Sequence, residues 1–175
     1  DSDEGFLIKL RYGHYDRDYE KNSKDRKQSG YSAILGYQSA WFADRFRLGF
    51  SANTAKELAS SGLATEDLLA FNGSENKDHS LMAEAYVDFA AFDSLSFRIG
   101  RQKHKSLLMA SATRLLPSTF EGASFHWQPQ DNIQLNASRY YKWSRRADEQ
   151  FNGFATDQSG EGAIDYVDIV SLKVK

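Results

Sequence analysis

The sequence of 175 residues has no cysteine and only two prolines. Without cysteine there are no disulfides and no thiolate chemistry, which is compatible with the periplasm-facing side of a cell. No apolar run approaches the roughly 18 residues that a membrane helix needs. No excess of positive charge is present: the formal net charge is −2, which gives no reason to expect nucleic acid as a partner. The four histidines, His14, His79, His104 and His126, stand at no metal-ligand spacing, so isolated rim or interior histidines are expected, with no metal. No phosphate loop, nucleophile elbow or kinase pattern occurs, and no cofactor is implied. No apolar leader opens the chain at Asp1-Ser2-Asp3-Glu4, so an exported protein is expected to have lost its signal already.

What is present is an unusual pairing of polarity with rings. Mean hydropathy is −0.61, yet aromatics make up 14% of the residues. A sheet that meets lipid on one face and water on the other reconciles the two, because only alternate residues need be apolar. The alternation is visible along the chain. Phe6, Ile8, Leu10 and Tyr12 share one face; Lys9, Arg11, Gly13 and Tyr15 share the other. The pattern returns in Tyr31–Trp41, Phe46–Ala52, Leu81–Phe89, Leu95–Ile99, Ala123–Trp127, Ile133–Tyr141 and Val170–Val174. It predicts about eight strands, each near the ~10 residues that a tilted membrane strand needs. Trp41, Leu81 and Ala83 are assigned to the apolar, lipid-facing set.

The connectors alternate in length. Short ones fall at Ala43-Asp44, Ala91–Ser94 and Pro129–Asp131; long ones span Asp16–Gly30, Glu57–Asp78, Lys103–Thr119 and Ser144–Gly162. Outer-membrane barrels place tight turns on the periplasmic side and long loops outside, whereas a soluble meander has no reason to segregate them. Rings near the strand ends (Phe6, Tyr31, Trp41, Phe46, Phe89, Trp127 and Tyr141) read as interfacial girdles. Thr65–Leu69 suggests a short helix inside the second long loop. The fold class is therefore all-β, a transmembrane antiparallel β-barrel segment over residues 1–175, located in the bacterial outer membrane. Expected partners are outer-membrane lipid and lipopolysaccharide, a small hydrophilic solute, and further barrel strands of the same or another chain.

Ile99–Gly122, IGRQKHKSLLMASATRLLPSTFEG, resembles the OprD family of outer-membrane porins. The resemblance is carried by Gly100 and Gln102 at a strand end, then by Arg114, Leu115, Leu116, Pro117, Thr119 and Gly122. The opening LRYGHYDRDYEK and the later RYYKWSRR are similar to the family at the level of pattern. The resemblance implies a barrel of about eighteen strands, of which this chain would hold less than half, so an incomplete sequence is expected. It also implies passive, substrate-selective diffusion of carboxylates or amino acids. The alternatives are a chitooligosaccharide-selective or sugar-selective porin of the same family and a small non-conducting structural barrel.

The candidate substrate pathway is a basic ladder on the water-facing side: Lys9, Arg11, Arg45, Arg47, Arg98 and Lys142. Fixed cations in a narrow, low-dielectric channel attract and guide anions. The same residues read equally as solvated or paired wall, since the acids Glu84 and Asp88 face the same interior. Lys103–Thr119 is the candidate constriction loop. In it Arg114 and Ser118 serve as polar groups toward solute, and Leu115, Leu116 and Pro117 pin the loop to the wall. Tyr15, Tyr86 and Tyr140 on the inner face are the residues that would stack sugars. Ser124 and His126 share a face, but no third member of a hydrolase triad is identifiable, and no enzymatic activity is expected.

Overall fold

In the computed structural model, residues 4–17, 26–60, 70–71, 76–106, 109–111, 113–146, 148–155 and 163–174 are described. Thr65–Leu69 lies outside them. Eight long strands carry the architecture, as the alternation requires: β1 (Gly5–Arg17), β2 (Arg26–Gln38), β3 (Phe46–Ser60), β6 (His79–Phe92), β7 (Leu95–Gln102), β8 (Thr119–Gln130), β9 (Ile133–Ser144) and β12 (Val167–Val174). Four short strands sit within the second and fourth long connections: β4 (Ala70–Phe71), β5 (Asn76–Lys77), β10 (Asn152–Ala155) and β11 (Ala163–Ile164). The long strands form an antiparallel meander, β1-β2-β3-β6-β7-β8-β9, with β12 also paired to β9.

The connections explain the meander. Ala43 and Asp44 both adopt left-handed backbone, with φ of 51° and 54°, the conformation of tight hairpin turns that match strand twist. Asp93-Ser94 and Asp131-Asn132 close the other two short turns. All three lie at one edge of the sheet and the long loops at the other, which sets the periplasmic and external sides.

The outer face is apolar and bare. Phe6, Ile8 and Leu10 are 78%, 73% and 75% exposed, a cost that only a lipid surround removes. Aromatic rings form two cross-strand rows on this face. Phe6, Tyr37 and Phe50 follow one another at 4.8 and 5.8 Å. Phe46, Phe89, Phe97 and Phe125 follow at 5.2, 6.4 and 6.2 Å. Both rows lie toward the short-turn half of this face.

Two of the β-bulges bear on the residues assigned to lipid. Ser51 pairs with Glu84 but Ala52 pairs with Met82, so Ala83 is an extra residue in β6. A bulge of one residue inverts the side-chain parity of the strand beyond it. Met82 therefore points outward, Ala83 is fully buried, and Leu81 pairs with the inward Asn53. The outward assignment of Leu81 and Ala83 is thus corrected. In the second bulge, Glu121 pairs with Lys142 but Gly122 pairs with Tyr140, leaving Tyr141 extra. Trp41 is corrected as well. It lies beyond β2, lines an inner cavity and carries the Arg47 guanidinium over its ring at 4.6 Å.

Candidate functional site

The inner wall is built from the alternate residues that the apolar face leaves over. On β3, β6 and β7, Arg47 pairs with Asp88 and Asp88 with Arg98, so the three side chains stand in one cross-strand row. Asp88 accepts from Arg47 at 2.7 Å and from Arg98 at 2.6 Å. One carboxylate thus holds two guanidiniums. Arg98 also lies 3.8 Å over the Tyr86 ring, and the Tyr86 hydroxyl donates to Gln38 Oε1 at 2.9 Å. Tyr86 can lie flat there because its neighbour is Gly49: a Cβ at that position would come 2.3 Å from the ring. Glu84 accepts from Ser51 and from Lys103, at 2.9 and 2.5 Å.

The described residues of the third long loop, 103–106, 109–111 and 113–118, fold onto this wall. Leu115 and Leu116 are buried against Ile34 and Ala55, with Tyr15 packed alongside. The Leu115 carbonyl accepts from Ser32 Oγ at 2.9 Å and from Arg11 Nη1 at 3.2 Å. These partners belong to the inner faces of β1 and β2, so the loop crosses the wet side of the sheet. Its other foot is fixed by His104, whose ring nitrogens bond the Tyr140 hydroxyl at 2.9 Å and Ser106 Oγ at 3.0 Å. Met109 packs against Phe120, Tyr140 and Ile169. Burial holds the His104 imidazole below its ordinary pKa of 6.5 because it disfavours the charged form.

Among the cavities formed by the described residues, two lie beside the loop. One of about 290 Å³ runs along the inner side of β6–β9 and includes Arg47, Asp88, Arg98 and Tyr140. The other, about 440 Å³, lies between β1, β2 and the loop and is lined by Lys9, Arg11, Lys103, His104 and Lys105, with no carboxylate among the described residues of its lining. Lys103 is already paired with Glu84, and Arg11 is bonded to a neutral carbonyl.

Of the six ladder residues, Lys9, Arg11, Arg47 and Arg98 lie on the inner wall. Arg45 lies in the periplasmic turn, where Nη1 donates to the carbonyls of Ala90 and Ala91 at 3.1 and 2.6 Å. Lys142 is on the opposite face: beyond the Tyr141 bulge it pairs with Glu121, which pairs with Arg101 and through it with the outward Ala85. In the loop, Arg114 is exposed and lies 5.6 Å from the Tyr15 ring centre. Leu115, Leu116 and Pro117 are buried. Ser118 is only 3% exposed, so it belongs to the buried foot of the loop. The sequence reading missed Lys103 and Lys105 as cavity residues, although the basic run Lys103-His104-Lys105 at a strand end was the available signal.

Ser124 and His126 are turned to other partners. Ser124 Oγ donates to Gln102 Oε1 at 2.8 Å, and His126 Nδ1 bonds Asn136 Oδ1 at 2.7 Å. Among the described residues, no group of three His, Asp or Glu side chains is placed to hold a metal ion.

Comparison with known proteins places this geometry. No curated protein sequence matches the chain. Acinetobacter baumannii OccAB3 aligns over 99% of the chain and 46% of its own length, at 17% identity and a TM-score of 0.84. OccAB1 from the same organism aligns over 99% and 41%, at 21% identity and a TM-score of 0.82. Pseudomonas aeruginosa OpdK, in a structure with vanillate, aligns over 97% and 44%, at 16% identity and a TM-score of 0.78. The chain thus spans less than half the length of these structures, and at such identities they show the shared fold. The family model for outer membrane porin, OprD family, matches residues 2–174, and the chain belongs to that family of β-barrels of the bacterial outer membrane.

Proposed function

We propose that the full-length protein is a porin for passive diffusion of small hydrophilic solutes, selective for anions and best suited to carboxylates, including amino acids led by their carboxylate end. The observation that carries this is the cavity of about 440 Å³ beneath the third loop, which presents Lys9, Arg11 and Lys105, with Lys103 paired to Glu84 and no acid among the described residues of its lining. In a confined, low-dielectric passage, uncompensated cations raise the local concentration of anions. The second cavity contributes less, because Asp88 neutralises part of the charge of Arg47 and Arg98. OpdK, solved with vanillate, has a carboxylate in its structure, which agrees with this reading.

The sugar-selective reading has less support. Tyr15 is packed in the loop's apolar cluster, Tyr86 lies beneath the Arg98 guanidinium, and Tyr140 is fully buried. Sugar stacking needs an open ring face; Tyr140 offers none, and Tyr15 and Tyr86 are half-buried with a guanidinium over each ring. The test is a liposome-swelling assay on the full-length protein with a small monocarboxylate and a neutral sugar of similar size. Lys9→Gln with Arg11→Gln should slow the carboxylate several-fold and leave the sugar within about twofold, as expected for loss of steering charge. Equal slowing of both solutes would refute anion selection at this cavity.

A further inference from the structure

The lipid-facing side carries a feature that permeation does not use. Toward the long-loop end, the outer face of β7–β9 and β12 has a groove of about 420 Å³ lined by Ile99, Ala123, Phe125, Ala137 and Val170 and headed by Arg139 and Asp168. Its floor is small because Ala123 and Ala137 stand between larger side chains. Its head is charged. Arg139 pairs with Asp168 at 2.6 Å and lies 4.0 Å over the Tyr166 ring. Just beyond is the cross-strand row Arg101, Glu121, Lys142, in which Arg101 and Glu121 are 3.0 Å apart. The Lys142 ammonium has no ion-pair partner among the described residues. A charge on the lipid face is costly at the bilayer midplane and nearly free at the interface. These five residues therefore mark the level of the external leaflet's headgroups, with three cations against two acids.

We propose that this groove is a binding site for the acylated, phosphorylated glycolipid of the external leaflet. One acyl chain lies on Ala123 and Ala137, and a phosphate is held by Lys142 and the outward edge of Arg139. Charge complementarity selects this occupant: the spare cation sits where the acyl groove ends, and a zwitterionic phospholipid would add a cation of its own there. The site is independent of anion permeation, so either proposal stands if the other fails.

Native mass spectrometry of the full-length protein in detergent tests the site with three probes: lipid A bearing two phosphates, the same lipid with both phosphates removed, and phosphatidylethanolamine. The wild type should retain the bisphosphorylated lipid best. Lys142→Gln should weaken that lipid by about fivefold, the worth of one cation near a charged headgroup surface, and leave the dephosphorylated lipid unchanged. Ala137→Leu, which fills the groove, should weaken both forms of lipid A, and Lys56→Gln elsewhere on the outer face should change neither. Equal retention of all three probes, preference for phosphatidylethanolamine, self-association through this face in place of lipid, or unaltered lipid A binding in both Lys142→Gln and Ala137→Leu would overturn the proposal.

Discussion

Asp88→Asn should both weaken the wall and sharpen its preference for anions. Asp88 accepts four hydrogen bonds from two guanidiniums: Arg47 Nε and Nη2 at 3.0 and 2.7 Å, and Arg98 Nε and Nη2 at 2.6 and 2.9 Å. Its side chain is 6% exposed, against 15% for Arg47 and 29% for Arg98. Removing one partner from a buried ion pair costs about 3–5 kcal/mol, mostly because the remaining charge is stranded. Here the loss should fall at or below the bottom of that range. Asparagine keeps one acceptor, and the partly exposed arginines can recover water, so the loss should be about 2–3 kcal/mol. Urea unfolding of the full-length protein in lipid vesicles, followed by tryptophan fluorescence, measures it. Adding Arg98→Gln to Asp88→Asn should restore part of the loss by removing one of the two stranded charges. In the single variant the anion-to-cation permeability ratio should rise, because one negative charge has left the wall. A stability change below about 0.5 kcal/mol, the level of an ordinary surface substitution, would refute the reasoning that Asp88 is the keystone of the row.

Other perturbations separate the remaining parts of the account. Val87→Arg on the outer face should cost about 2–4 kcal/mol of membrane stability, whereas Ser96→Arg on the inner face should be tolerated, as refolding yields into vesicles would show. Gly49→Ala should push Tyr86 off its seat and break its bond to Gln38, lowering the urea midpoint by the equivalent of about 1–3 kcal/mol. Deleting residues 107–112 should raise single-channel conductance in planar bilayers, and unchanged conductance would place the loop off the solute path. His104 holds the loop as a neutral ring, and its docked pKa lies below the ordinary 6.5. The undocked loop therefore binds the proton more readily, and docking should be complete above that value and weaken as pH falls through it. Open-channel noise should rise at pH 5 in the wild type and lose its pH dependence in His104→Gln.

Most of the fold is legible because one physical rule, lipid on one face and water on the other, writes itself into every second residue. Phe6, Ile8, Leu10 and Leu48 follow it, and so do Arg11, Arg47 and Arg98. The rule fails where the backbone gains a residue. Nothing in the Leu81–Phe89 run or in Tyr140-Tyr141-Lys142 announces a bulge, yet Ala83 and Tyr141 each invert the parity beyond them. That inversion turned Leu81 inward and put Lys142 on the lipid side. Trp41 misleads for another reason: it lies past the strand end, where alternation no longer holds, and the Arg47 guanidinium draws it to the inner side. The loop's hydrophobic foot was readable as Leu115-Leu116-Pro117. Its target on Ile34, Ala55 and Ser32 was not, because a contact between residues so distant in sequence leaves no local pattern.

The central claim is that the inner wall and third loop present uncompensated positive charge to solute. The most direct test is the reversal potential of the full-length porin in a planar bilayer across a KCl gradient. It should be measured at low ionic strength, where screening, with a Debye length of about 30 Å at 0.01 M, leaves the wall's field intact. The channel should be anion-selective, and its selectivity should fall when Lys9 and Lys105 are both changed to Gln. A cation-selective channel, or an anion-selective one indifferent to those two lysines, would contradict the claim.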